Sequence, residues 1–121
     1  MKRSISFKVD IKPVGTNSAY RKRRQGYGMY LSDEAKSYKE ILAAGAYNAM
    51  AGNRDFFKKP KVFLVFTYGD ARKRDADSAI KLSLDSMNGI VYLDDSDVIH
   101  VSADKFYRKG CPSVRITVEE S

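Results

Sequence analysis

The chain opens on an alternation of apolar and polar residues. Ile5, Phe7, Val9 and Ile11 are apolar, with Ser4, Ser6, Lys8 and Asp10 between them. That period of two predicts a half-buried β-strand. After Pro13 the pattern breaks into VGTNSAYRKRRQGYGMY, a basic, Gly-containing stretch with no sustained period. It predicts a long loop, or a loop carrying an irregular hairpin. Ser32 followed by Asp33 and Glu34 predicts a helix start, because the hydroxyl caps free amides and the acids complement the positive end of the helix dipole. Tyr38, Ile41, Leu42 and Ala49 mark its apolar face, and the helix is expected to run to about Met50 and stop at Gly52-Asn53.

The run KVFLVFTY, residues 61–68, is β-branched and aromatic almost throughout and predicts a central strand covered on both faces. Asp75 is expected to cap a second helix, with Ala76, Ile80, Leu84 and Met87 on one face and Asn88-Gly89 at its end. Ile90 to Leu93 read as a short extended piece. Val98 to Tyr107 and Ser113 to Val118 read as two strands joined by a turn around Lys109-Gly110-Cys111-Pro112. The order is β-α-β-α-β-β, which predicts one α+β domain over residues 1–121, a mixed sheet with two packed helices.

With 121 residues, 43% of them apolar, the chain is large enough for one continuous core. MKRSISFKVD has the charges of a signal peptide without the apolar stretch, and the longest clean apolar run is Val62 to Phe66. No membrane span or targeting segment is expected. Cys111 is the single cysteine, so no internal disulfide forms, and a reducing, cytoplasmic setting is expected. His100 is the single histidine. One His and one Cys fall short of a zinc site. Lying between Ile99 and Val101, His100 reads as a solvent-facing strand residue rather than a catalyst, so chemistry would fall to carboxylates.

Charge gives those carboxylates a location. From Asp75 to Asp97 there are six aspartates and one lysine, a window of −5 in a chain of +7, so the remainder carries +12. A basic body suits a polyanion, whereas clustered carboxylates repel one unless divalent cations lie between. Asp75 and Asp77 alone would be ordinary helix caps, and Asp94-Asp95 alone a solvated turn. Two such pairs at neighbouring element ends, in so basic a chain, point instead to an oxygen-rich Mg²⁺ site, with Asp94 or Asp95 as the third carboxylate. Lys81 has two readings: the middle of an ion-pair row Asp77-Lys81-Asp85, or a cation beside a scissile phosphate. Arg21-Lys22-Arg23-Arg24, flanked by Tyr20, Tyr27 and Tyr30, and Arg72-Lys73-Arg74 are candidate phosphate contacts, with the tyrosines available to stack on bases. The alternatives are a non-enzymatic nucleic-acid-binding module with structural acids and, ranked lower for want of a Gly-rich phosphate loop, a phosphotransferase or phosphatase.

RKRDADSAIKLSLDSMNGIVYLDDSDVI, residues 72–99, resembles the RusA family of Holliday-junction resolvases in its basic run, D-x-D pair, lysine four residues later, internal aspartate and D-D pair before a strand. Asn17, the basic loop and the segment from Leu31 to Met50 resemble the family's N-terminal half. The resemblance implies a structure-selective endonuclease of recombination and repair, of a kind often found in phages and prophages. It implies metal-binding carboxylates at Asp75, Asp77 and Asp95, an essential Lys81, Mg²⁺ or Mn²⁺ as cofactor, Asn17 among the DNA-binding residues and a homodimer on branched DNA. Ser78, where many members carry Asn, and Pro13 to Thr16, in place of a proline- and serine-rich approach to Asn17, depart from the pattern and bear on substrate preference.

Overall fold

The opening alternation becomes strand β1 (Ser4–Val9) in a computed structural model that describes residues 3–15, 20–22, 29–72, 74 and 77–121. The basic stretch that follows carries two short antiparallel strands, β2 (Tyr20–Lys22) and β3 (Met29–Leu31), in register Arg21 to Tyr30. Helix α1 (Asp33–Met50) starts where the capping pattern predicts, with the Ser32 hydroxyl accepting from the Ala35 amide at 3.1 Å. Its buried face is Ala35, Tyr38, Leu42, Ala46 and Met50. That stripe follows the helical repeat more closely than the expected one, and Ile41 stands to its side, 43% exposed.

Strand β4 (Pro60–Tyr68) pairs antiparallel with β6 (Ser113–Glu120) and parallel with β5 (His100–Tyr107), while β6 also pairs antiparallel with β1. The sheet order is β1-β6-β4-β5. It is mixed, and β1, β4 and β5 all run in one direction. Cross-strand rows such as Phe7–Ile116–Leu64–Ala103 build one core face. α1 packs there so closely that a Cβ on Gly45 would lie 2.9 Å from the Phe7 ring.

Two expectations change. β4 is central, but only Pro60, Val62, Leu64, Phe66 and Tyr68 are buried, alternating with half-buried Lys61, Phe63, Val65 and Thr67. Both helices lie on the core side, so the hydrophobic run reflects one covered face and one open apolar-polar face. The second helix, α2 (Ile80–Asp85), is shorter than expected. Its N-cap residue is Ala79, which makes no side-chain cap, so the expected cap at Asp75 does not start it. Asp77 lies in the preceding turn, its carbonyl accepting from the Ile80 amide at 3.2 Å. Residues 90–93 form no strand: Ile90 and Val91 are in a turn closed by the Gly89 amide on the Tyr92 carbonyl at 2.8 Å, and Tyr92 makes only an isolated parallel bridge with Asn88. Among the described residues, no helix is long and apolar enough to cross a membrane.

Candidate active site

α2 is held by two buried tyrosines, which fix the side chains on its outer face. Tyr38 from α1 shares a hydrogen bond of 2.8 Å with the Ser83 hydroxyl, which lies 2.7 Å from the Ala79 carbonyl and donates to it. Tyr92 donates to the Leu84 carbonyl at 2.8 Å, tying the segment before Asp94 to the helix. Both phenols are pushed above the ordinary tyrosine pKa, foremost by burial, and Tyr92 further by the nearby charges of Asp95, Asp85 and Asp94. Sequence reasoning passed over Tyr92. Its aromatic position in an apolar run between Asn88-Gly89 and the acidic pair was the available signal.

With α2 and the 92–95 segment fastened together, Lys81 Nζ lies 2.8 Å from Asp85 Oδ1 and 3.0 Å from Asp95 Oδ2. The two carboxylates are mostly buried, about 18% and 19% exposed, whereas Lys81 is 59% exposed. Its ammonium pKa is raised well above the ordinary lysine range, first by the hydrogen bond to Asp85 and then by that to Asp95. Lys81 therefore stays protonated and presents a permanent positive charge at the surface. The i,i+4 pair to Asp85 follows from helical spacing. Among the described residues the other partner is Asp95, in place of the expected Asp77.

Asp95 opens a short 3₁₀ turn, Asp95–Asp97, capped by the Asp94 carboxylate accepting from the Ser96 amide at 3.0 Å. Hydrogen bonding to Ser96 lowers the Asp94 pKa. Asp94 thus shapes the turn that aims Asp95 at Lys81, a role the sequence left open. Asp77 is exposed, in the turn before α2. Asp75, Asn17, Arg23, Arg24 and Lys73 lie outside the described residues, and of Tyr20, Arg21 and Lys22 only the β2 backbone is described. Arg72 is exposed. Arg74 is engaged: its guanidinium lies 2.7 and 3.3 Å from the two Asp70 oxygens and 4.3 Å over the Tyr68 ring, and its carbonyl accepts from Lys105.

The acidic donors on these elements, Asp77, Asp94 and Asp95, are all hard carboxylate oxygens, a set that suits Mg²⁺ or Mn²⁺ rather than a soft metal. Among the described residues, no group of three or more Asp, Glu, His or Cys side chains is gathered tightly enough to hold a metal ion by itself. The arrangement provides a fixed surface cation between two aspartates, next to a turn of further carboxylates, with basic residues in the preceding loop.

The family model described as endodeoxyribonuclease RusA matches residues 10–119 of the 121-residue chain. The chain matches no curated protein.

Proposed function

Because the chain belongs to the endodeoxyribonuclease RusA family, we propose that it resolves four-way DNA junctions by paired, metal-dependent hydrolysis of phosphodiester bonds. Membership of an endodeoxyribonuclease family favours an enzyme over a binding module whose acids serve only as caps and ion pairs. The observation that carries the mechanism is the ammonium of Lys81 held between Asp85 and Asp95. A lysine whose proton is secured by two carboxylates is suited to meet negative charge building on a phosphoryl oxygen.

Asp75, Asp77 and Asp95 would hold the metal, with Asp94 supporting Asp95 through the turn it caps. When bound, Mg²⁺ would screen the phosphate from the carboxylates and lower the pKa of a water molecule. Asp85, which makes the shorter bond to Lys81, keeps the lysine in place when Asp95 engages elsewhere. The basic stretches at 21–24 and 72–74 position the sugar-phosphate backbone, Arg72 by direct contact and Arg74 by bracing its loop through Asp70. A homodimer fits the reaction, since two symmetric nicks need two sites and one chain supplies one acidic cluster.

Cleavage of a synthetic four-way junction, with and without Mg²⁺, tests the proposal. Wild type should cut the junction only with the metal and should leave linear duplex of the same sequence largely intact. Equal cutting of both substrates would make it a general nuclease.

A further inference from the structure

The open face of the sheet carries a groove of about 600 Å³ lined by Val65, Thr67 and Pro112 and by the cations Lys8, Arg108 and Arg115. Its one carboxylate, Asp10, lies 3.6 Å from Lys8 Nζ. Among the described residues, Arg108 and Arg115 have no ion-pair partner. The lining therefore sums to +2, with both guanidiniums uncommitted.

The register adds a second observation. Lys8 of β1 sits directly opposite Arg115 of β6, and both are exposed on the open face. Like charges placed directly across a sheet destabilise it. In the free protein Asp10 offsets part of that repulsion from the Lys8 side, and a polyanion lying over the pair would relieve the rest. The groove is also fastened to the root of the active-site loop: the Arg108 amide donates to the Tyr68 carbonyl at 2.9 Å and the Gly110 amide to Gly69 at 3.0 Å. From Gly69 the chain leads through Arg72 and Arg74 toward Asp77.

We propose that this groove holds the sugar-phosphate backbone of one DNA arm, with phosphates on Arg108 and Arg115, as a second DNA-binding tract beyond the basic runs at 21–24 and 72–74. The proposal rests on the junction-binding reading above. It places phosphate contacts on two arginines that no charge run marks in the sequence. Phosphate contacts of this kind contribute affinity and orientation, not sequence readout.

The test is binding of a fluorescent four-way junction to the full chain in Ca²⁺, across a salt series. Arg108→Gln with Arg115→Gln is compared with Arg54→Gln and Lys58→Gln. The second pair removes the same charge from a different groove, beside Asp97. The Arg108/Arg115 variant should bind on the order of tenfold or more weakly at 0.1 M salt, with a salt slope smaller by about 2. It should keep a melting temperature at or above wild type, because the opposition to Lys8 is gone. The Arg54/Lys58 variant should lose less than about threefold. Equal losses in both pairs, or none in the first, overturn the groove. Conversion of a dimer to a monomer by the first pair alone overturns it in favour of a surface between two copies of the chain. A wild type that fails to bind the junction refutes the resolvase reading instead.

Discussion

Lys81 Nζ is 3.0 Å from Asp95 Oδ2, a contact between residues 14 apart that joins the outer face of α2 to the turn ahead of β5. A lysine reaching only Asp85, four residues along its own helix, would be an exposed i,i+4 pair of little consequence. The bond to Asp95 makes Lys81 part of the acidic constellation. Replacing Lys81 with Met should cut the single-turnover rate of junction cleavage by on the order of 10²–10³-fold while leaving junction affinity within a few-fold. Lys81→Arg, which retains the charge, should recover part of that rate. A rate for Lys81→Met within twofold of wild type would return Lys81 to an ion-pair role.

Asp75→Asn should abolish cleavage of the same junction and preserve most of its binding. Chelating the divalent metal should have the same effect on wild type, and Ca²⁺ should support binding without cutting. The check is a gel assay of cleavage beside anisotropy on the same preparations. Undiminished cutting by Asp75→Asn would remove that carboxylate from the mechanism.

Tyr92→Phe isolates the staple behind the site. The substitution leaves the Leu84 carbonyl without the phenol that donates to it, which should cost about 1–2 kcal/mol of stability. It should also lower cleavage more than binding, because the turn bearing Asp95 is no longer tied to α2. Urea denaturation with the cleavage assay separates the two effects: a stability loss with an unchanged rate would show that packing alone holds the turn.

The pair Asp70–Arg74 should carry a pH signature. Arg74, first through its side-chain hydrogen bond, lowers the Asp70 pKa to about 2, assisted by the Arg72 amide. A depressed carboxylate pKa favours the folded state above the unfolded value near 3.9, and that contribution is lost as pH falls toward 2. Asp70→Asn should therefore lower the melting temperature slightly at pH 6, with the difference from wild type shrinking between about pH 4 and pH 2. A difference that grows over that range would contradict the pairing. Asp70 is exposed to solvent and the effect should be small.

The site was legible where chemistry follows from local sequence. Ser32 caps α1 because its hydroxyl and the Ala35 amide are three residues apart, and Lys81 reaches Asp85 because four residues make one helical turn. Asp85 takes its value from what else Lys81 touches, which helical spacing alone does not show. The start of α2 was misjudged because an Asp-rich stretch caps helices well in general. Here the chain turns once more, through the Asp77 carbonyl, before the helix begins at Ile80.

Composition and periodicity by themselves determined the element order, the mixed α+β class and an acidic window carried by a basic chain, because these follow from alternation, capping and charge within short stretches. Only the tertiary structure decided that Asp95 rather than Asp77 is the second partner of Lys81, that Tyr92 fastens the turn, and that Lys8 opposes Arg115 across the sheet. Each of those contacts joins different elements. It depends on strand register and on how α2 seats against the core, quantities that no local run of residues encodes.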